Sequence, residues 1–298
     1  MKKSLTLFAA LFLFGCQQAA DTDLASTVEE AAPAVAEATG TLEALLTEQP
    51  NEVKARYAHR NPQQTLEFFG VEPGMTVVEG LPGGGWYTKL LLPYLGADGR
   101  LIGANYAMDL WPNFGFATEE FLATQATWAI DFPVDAAEWG GETGAPVSAF
   151  NFGAMPDELA GTADVVLMVR ALHNLARFSD QRDFLGEAFG DSFAALKPGG
   201  VLGVVQHHAR DEMSDEFADG SKGYLKKGFV IAAAEAAGFE FVAESDINAN
   251  PQDQPGEDDV VWRLPPSLGT SRDNPELKAE LEAVGESNRM TLKFRKPE

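Results

Sequence analysis

A run of three glycines follows a short apolar segment and an acid, and it is the stretch best suited to hold a ligand. Residues 75–78, apolar and partly β-branched, predict a short buried strand that Glu79 closes. The glycine run at 83–85 comes next, and residues 86–95 have the apolar spacing of a helix. Glycines let the backbone approach a ligand closely, and a helix start offers unpaired N–H groups to an anion. The order of these segments is typical of the opening of a nucleotide-binding βαβ unit.

The spacing of the glycines distinguishes between ligands. A dinucleotide-binding loop needs the pattern G-x-G-x-x-G, and here the third glycine is missing because residues 86–88 are Trp-Tyr-Thr. The loop is more similar to the acid-x-Gly-x-Gly-x-Gly loop of class I S-adenosylmethionine-dependent methyltransferases. Glu79 stands at its acidic position, and Gly83 and Gly85 stand at its second and third glycines. Leu81 replaces the first glycine. A glycine-rich turn that holds no ligand is the alternative interpretation.

Polar residues also follow a later predicted strand. Residues 164–169 are an apolar run behind an acid, as a central parallel strand buried on both faces requires, and Arg170, His173 and Asn174 come after it. Ligands of open α/β sheets bind outside the carboxyl ends of the strands. Imidazole titrates near neutral pH, so His173 is a candidate general base, with Arg170 as the second candidate catalytic residue and Asn174 as a substrate contact. A helix cap or a structural polar group is the alternative.

The next strand, predicted at 201–205, is followed by His207, His208 and Arg210, which are further candidates for substrate contact or for a structural role. Adjacent histidines on a strand face opposite ways, so both can point into one site only if the strand has already ended. The chain has no H-x-x-H or C-x-x-C spacing, and no metal is predicted.

Strands alternate with predicted helices along the chain. Helices are expected at 51–60, at 119–127 and at 179–196, where Ser179 is the expected N-cap. Another strand is expected at 100–106. This alternation predicts an α/β protein with a mostly parallel sheet.

The composition is that of an acidic globular protein. The chain has 298 residues, of which 45% are hydrophobic, and a formal net charge of −23. It can therefore bury a large core, and it lacks the basic surface that nucleic-acid binding requires. A basic cluster formed by Lys54, Arg56, His59 and Arg60 stands out against this charge. We expect it to be a solvated face.

The first residues have the features of a lipoprotein signal peptide. Two lysines precede an apolar run at 5–14 that is too short to span a bilayer. Residues 13–16 resemble a lipobox, which ends at Cys16, the only cysteine of the chain. Lipidation at Cys16 is expected, with a flexible tether at 17–41 and a methyltransferase-like domain at 42–298. An ordinary signal peptide is the alternative. Gln17 in place of an aspartate favours the outer over the inner membrane, with the protein on the periplasmic face.

Together these stretches resemble a family of predicted exported methyltransferases of bacteria. The resemblance rests on the loop at 79–88, on the segments at 170–174 and 196–207, and on Asn-Pro-Gln-Asp at 250–253, and it covers about 56–297. It implies a Rossmann-like seven-stranded methyltransferase sheet, mostly parallel, with helices on both faces and a reversed last strand. It also implies S-adenosylmethionine as cofactor. The implied cofactor-binding residues are Glu79, Gly83, Gly84, Gly85, Trp86, Tyr87, Asn105 and Tyr106.

Asn105 departs from a common pattern. In many nucleotide-binding α/β folds an acid at the end of the second strand binds the ribose hydroxyls, whereas an amide is a weaker acceptor without charge. Asp109 is a nearby acid that can substitute for it.

Two functions stay open at this point. The first is methyl transfer from S-adenosylmethionine to an unidentified small-molecule acceptor. The second is non-catalytic binding of a nucleoside or small anion by a lipoprotein on the same scaffold. Leu81, Asn105 and the expected scarcity of S-adenosylmethionine outside the cytoplasm favour the second. An unrelated hydrolase is less favoured because the chain has no G-x-S-x-G elbow. Membrane contact is expected only through the N-terminal lipid anchor.

Overall fold

The computed structural model describes residues 41–141 and 144–298. The predicted signal peptide, Cys16 and nearly all of the predicted tether lie outside these ranges. Within them, no helix combines the length and the apolar character needed to cross a bilayer.

One mixed sheet forms the centre of the fold. Its strands are β1 (Thr76–Gly80), β2 (Arg100–Asn105), β3 (Val147–Asn151), β4 (Ala163–Val169), β5 (Leu196–Ala209), β6 (Leu225–Lys226), β7 (Glu240–Ser245) and β8 (Arg289–Arg295). Seven of them follow the order β3-β2-β1-β4-β5-β8-β7, and β6 pairs only with β5. All neighbouring pairs are parallel except those of β8, which is antiparallel to β5 and β7. The predicted α/β fold with a reversed last strand is confirmed, and the two-residue β6 is an addition.

Helices cover both faces of the sheet, as predicted. The helices are α1 (Leu42–Glu48), α2 (Asn51–Lys54), α3 (Tyr57–Arg60), α4 (Pro62–Phe69), α5 (Thr88–Leu95), α6 (Glu119–Gly140), α7 (Leu172–Arg177), α8 (Phe184–Ala195), α9 (Lys227–Ala236) and α10 (Pro275–Val284). On one face α1, α4, α5 and α6 pack around Val165 and Leu167. On the other face α7, α8 and α9 pack around Val166 and Met168. Alternate residues of β4 therefore enter different cores, which explains its continuous apolar run.

The strand β5 is longer than predicted. It continues past 205 to Ala209 because β6 pairs with its last two residues and β8 pairs with it as far as His207, with Gln206 opposite Met290 and His207 opposite Arg289. The partner residues of β8 lie more than 80 residues further along the chain. Since the strand has not ended at His207, the two adjacent histidines face opposite sides of the sheet.

Three predicted helices have different bounds. The helix expected at 119–127 continues to Gly140, and the segment 51–60 forms two separate single turns, α2 and α3. The helix expected from 179 begins at Phe184 instead. Its N-cap is Asp183, whose Oδ1 accepts a hydrogen bond from Gly186 N at 2.9 Å, and Ser179 does not cap it.

Candidate ligand-binding site

A cavity of about 760 Å³ opens beyond the carboxyl ends of β1, β2, β4 and β5. We call it the central cavity. It has the size of a small-molecule site, and it lies where an open α/β sheet places its ligand. The predicted site residues that line it are Gly83, Gly84, Trp86, Asn105, Tyr106, Arg170, His173, Asn174 and His207.

The glycine loop forms one wall of the central cavity. A Cβ atom added to Gly84 would meet no atom within 4 Å, so its backbone faces open space. Gly83 has φ +56°, which favours glycine. Leu81 has the same φ of +56°, although it replaces a glycine of the methyltransferase pattern. The backbone thus keeps the left-handed conformation at a position where a leucine is strained.

Gly85 supports the loop from behind and does not line the cavity. Its φ is +74°, and an added Cβ would lie 2.2 Å from the Trp139 ring of α6. Gly85 therefore lets α6 pack closely against the loop.

Glu79 and Tyr87 are also buried away from the cavity wall. The Glu79 carboxylate accepts a hydrogen bond of 2.7 Å from Thr88 Oγ1 and so joins β1 to the first turn of α5. Burial raises the pKa of Glu79 to about 7, although the Thr88 bonds oppose the shift. The Tyr87 hydroxyl lies 3.5 Å from the Arg60 carbonyl oxygen. Both residues hold the loop in place from the side of the core.

The end of β2 borders the cavity through Asn105 and Tyr106. Asn105 Nδ2 donates to Gln125 Oε1 at 3.2 Å, and Asn105 Oδ1 accepts from Tyr106 N at 2.9 Å. The Tyr106 hydroxyl accepts from Asn174 Nδ2 at 3.1 Å, which links this corner to α7. Asp109 does not substitute for Asn105: it is largely exposed and pairs with Arg182 at 2.6 Å.

Two buried histidines face each other across the ends of β4 and β5. The ring centroids of His173 and His207 are 5.4 Å apart. His173 Nδ1 lies 3.4 Å from Gln206 Nε2, and His207 Nδ1 lies 2.6 Å from Ser287 Oγ. Burial lowers the pKa of His173 to about 4 and the pKa of His207 well below its usual range. Both imidazoles are therefore neutral at pH 7.

A buried group of arginines borders the same cavity, and it includes part of the basic cluster expected to be solvated. Arg60 is only 2% exposed and lies over the Trp86 ring at 4.6 Å. Glu286 accepts ion pairs from Arg60 at 3.1 Å, from Arg56 at 3.2 Å and from Arg289 at 3.3 Å. The expectation of a solvated face is wrong for Arg56 and Arg60, because both form ion pairs with Glu286, which lies near the other end of the chain.

Arg170 lies apart from these ion pairs. It follows β4 with φ +58°, a strained conformation for a long side chain, and its N–H donates to the Val205 carbonyl oxygen. Burial, together with the positive charges of Arg60 and Arg289, lowers the pKa of Arg170 to about 9. Within the described ranges, no carboxylate lies within ion-pair distance of its guanidinium group.

Several buried polar atoms around the central cavity lack partners. Trp86 Nε1, Trp111 Nε1, Arg170 Nε and Asn174 Oδ1 make no hydrogen bond to any described residue, and all four residues line the cavity. Buried polar groups are nearly always paired, so such a cluster is typical of a site that a ligand completes.

His208 and Arg210 are not brought to the cavity. His208 follows His207 on the same strand, so it points to the other side of the sheet, and it does not border the cavity. The Arg210 guanidinium bonds to Glu212 at 2.7 Å and to Gln254 at 2.9 Å, also away from it. The structure does not bring these two predicted contact residues together with the others, and their contact with substrate stays a prediction.

Other cavity residues were not expected from the sequence. Trp111 and Phe121 line one side, and Trp262 lies 5.9 Å from the His173 ring. Glu286 and Ser287 complete the opposite side. The density of aromatic residues at 107–116 is a sequence signal for Trp111. A single glutamate in an acidic chain gives no comparable signal. Among the described residues, no group of three or more His, Cys, Asp or Glu is placed to hold a metal ion.

Comparison with known proteins gives similarity at the level of structure only. The chain matches no protein-family model and no curated protein. Among solved structures, the cyclase SpnF is 16% identical with a TM-score of 0.49, and the match covers 80% of this chain and 81% of that one. A methyltransferase from Haloferax volcanii, described as putative and solved with the activator Trm112, is 15% identical with a TM-score of 0.47 over 87% and 98% of the two chains. A SAM-dependent methyltransferase from Aquifex aeolicus is 17% identical with a TM-score of 0.44 over 67% and 93%. The strand order of the sheet itself defines the chain as an α/β protein of the Rossmann-like class.

Proposed function

We propose that this protein transfers a methyl group from S-adenosylmethionine to a small-molecule acceptor. One observation carries the proposal: the glycine loop, the polar residues that follow β4, and His207 near the end of β5 line a single cavity. The open backbone at Gly84 and the unpartnered polar atoms of Trp86, Trp111 and Asn174 fit a large polar ligand. The resemblance of the loop to the class I methyltransferase pattern supplies the identity of that ligand.

The residues of the chain would divide between cofactor and acceptor. Gly83, Gly84 and Trp86 would hold the cofactor on the loop side, with Asn105 and Tyr106 at the end of β2. When bound, the cofactor supplies an electrophilic methyl group on a sulfonium sulfur. Enclosing both reactants in one cavity supplies proximity and excludes water, which account for much of the acceleration in such reactions.

His173 is the residue best placed to receive a proton from the acceptor. Its Nδ1 lies against Gln206, and no described residue bonds to its Nε2, which is the ring nitrogen left for a ligand. The acceptor would give an electron pair to the methyl carbon as the bond from that carbon to sulfur breaks, with S-adenosylhomocysteine as the leaving group, and the acceptor's proton would pass to His173 Nε2. With a pKa of about 4, His173 is neutral at pH 7 but a weak base, so it suits an acceptor that loses its proton readily.

Calorimetric titration of the purified protein with S-adenosylhomocysteine tests the proposal. Gly84→Leu places a side chain in the open space of the cavity and should weaken binding at least tenfold. Gly228→Leu is the matched control, because Gly228 is also free of contacts but is exposed on α9, outside the cavity. No heat from the unmodified protein at high ligand concentration would contradict methyl transfer. Equal binding by both variants would show that the loop does not hold the cofactor.

We also propose that the protein is exported and lipidated at Cys16, and that it reaches the membrane only through this anchor, on the periplasmic face of the outer rather than the inner membrane. The basic and apolar segments that precede Cys16 support this proposal. Cys16→Ser should move the protein from the membrane fraction to the soluble fraction, and labelling with a palmitate analogue should be lost in parallel. Unlabelled protein recovered from the cytoplasm would contradict it.

A further inference from the structure

The central cavity carries more positive than negative charge, although the protein as a whole is strongly acidic. Arg56, Arg60 and Arg170 line it, Arg289 lies behind them in the same group, and Glu286 is the one carboxylate among the described residues of this group. The surplus is therefore three positive charges in a region where Arg60 and Arg289 are almost fully buried. Burying like charges without a counter-ion is costly, so this arrangement suits a site that receives an anion.

Arg170 is the member of this group that is free to bind one. Glu286 already accepts from the other three guanidinium groups, whereas no hydrogen bond or ion pair joins the Arg170 side chain to a described residue. Its Nε is buried and without an acceptor, and the residue lines the cavity. Its left-handed backbone conformation directly after β4 is a second feature that is typical of functional positions.

The proposed cofactor does not balance this charge. S-adenosylmethionine has one carboxylate, but its ammonium and sulfonium groups add two positive charges, so its binding increases the surplus. A second, anionic molecule would reduce this surplus. Guanidinium groups bind carboxylate and phosphate oxygens with two parallel hydrogen bonds, which also fixes the orientation of the bound molecule.

We propose that the methyl acceptor is a small organic oxyanion, a carboxylate or a phosphate ester, whose charged group is bound by Arg170. This assignment of the acceptor class rests on the proposed methyl transfer. Arg170 and His173 line the same cavity beyond the end of β4, so an acceptor bound through its anionic end to Arg170 presents the rest of its structure to His173. Trp262 lies beside the His173 ring and provides an apolar surface for that part.

The test is calorimetric titration of the purified protein with sodium phosphate and with sodium benzoate, against sodium chloride at the same ionic strength. Either oxyanion should bind more tightly than chloride, and Arg170→Gln should weaken that binding at least tenfold. Arg170→Lys keeps the charge but loses the paired donors, so its affinity for the oxyanion should lie between those of the unmodified protein and of Arg170→Gln. Arg295→Gln is the matched control, because Arg295 is half exposed and pairs with Glu240 at the edge of the sheet. The affinity of this variant for either oxyanion should lie within twofold of that of the unmodified protein.

The outcomes separate this inference from the proposed function. A preference for phosphate supports a phosphate ester as acceptor, and a preference for benzoate supports a carboxylic acid. Oxyanion binding no tighter than chloride, or unchanged affinity in a folded Arg170→Gln protein, would overturn the inference even if S-adenosylhomocysteine binds. Oxyanion binding without any S-adenosylhomocysteine binding would instead overturn methyl transfer, and with it the role of the anion as acceptor. Circular dichroism of each variant shows that it has folded.

Discussion

Glu79, His173 and His207 are buried titratable residues with opposite effects on the pH dependence of stability. Burial lowers the pKa of both histidines, so below their ordinary pKa near 6.5 the unfolded chain binds more protons and stability falls with falling pH. Burial raises the pKa of Glu79 from about 4.5 to about 7. Between these two pKa values the folded state binds the Glu79 proton more tightly than the unfolded chain does, so the contribution of Glu79 to stability is lost as pH rises.

Replacing Glu79 by Gln should therefore make stability rise more steeply with pH. Gln cannot ionise, and its carbonyl oxygen can still accept the hydrogen bond from Thr88 Oγ1. Between pH 5 and pH 7 the variant should gain on the order of 2 kcal/mol of unfolding free energy relative to the unmodified protein. Urea unfolding at both pH values measures the difference.

An exposed carboxylate provides the control for this measurement. Glu244→Gln removes one acid at a partly exposed ion pair with Lys227 on the sheet edge, and it should leave the pH profile nearly unchanged. If Glu79→Gln and the unmodified protein differ by the same amount at pH 5 and pH 7, then Glu79 is ionised in the folded state across this range and its pKa is not raised.

At the scale of elements, the start of α8 depends on Asp183. Asp183→Ala removes the acceptor for the Gly186 N–H and should lower the free energy of unfolding by about 1 kcal/mol. Ser179 is exposed, and its side chain bonds to no described residue, so Ser179→Ala should change stability by less than about 0.5 kcal/mol. Chemical denaturation of both variants measures the effect. A larger loss in Ser179→Ala than in Asp183→Ala would place the helix start where the sequence pattern predicts it.

Local sequence patterns could predict those elements whose structure is decided by the residue types within the element itself. The run at β4 and the glycine loop after β1 were predictable because burial on both faces and tight turns require particular residue types at each position. The extension of β5 was not, because β8 supplies its pairing from far along the chain. The second half of α6 has a signal in the spacing of Trp128, Phe132 and Ala136, which pack against β2 and α5, but Pro133 conceals it.

The same distinction holds for the site. The residues after β1 and β4 were predictable because parallel strands bring their carboxyl ends to one edge. The burial of Arg60 was not, since its partner Glu286 lies 226 residues away. Two adjacent histidines also differ in position. His207 lines the cavity and His208 does not, because β5 continues through both. Local patterns thus place a site at an edge of the sheet, whereas long-range pairing decides which side chains complete it.

At the scale of the whole molecule, Glu286 joins the two ends of the described chain. It accepts from Arg56 and Arg60, which flank and end the helix α3, and from Arg289 at the start of β8. Its side chain is only 4% exposed. Although burial opposes its ionisation, the charges of Arg289 and Arg60 hold the pKa of Glu286 below its ordinary value. The network therefore depends on one carboxylate that stays charged.

Glu286→Gln should destabilise the whole domain. Removing the charge keeps the size of the side chain but leaves three guanidinium groups, two of them almost fully buried, without a counter-ion, and breaking a buried pair in this way costs about 3–5 kcal/mol. Glu282→Gln is the matched control, because Glu282 lies four residues earlier, on α10, and forms only an exposed pair with Lys278. It should change the unfolding free energy by less than about 0.5 kcal/mol. Urea denaturation compares the two, and equal stability of the variants would mean that water screens the arginines and that the carboxylate does not hold the N-terminal helices to β8.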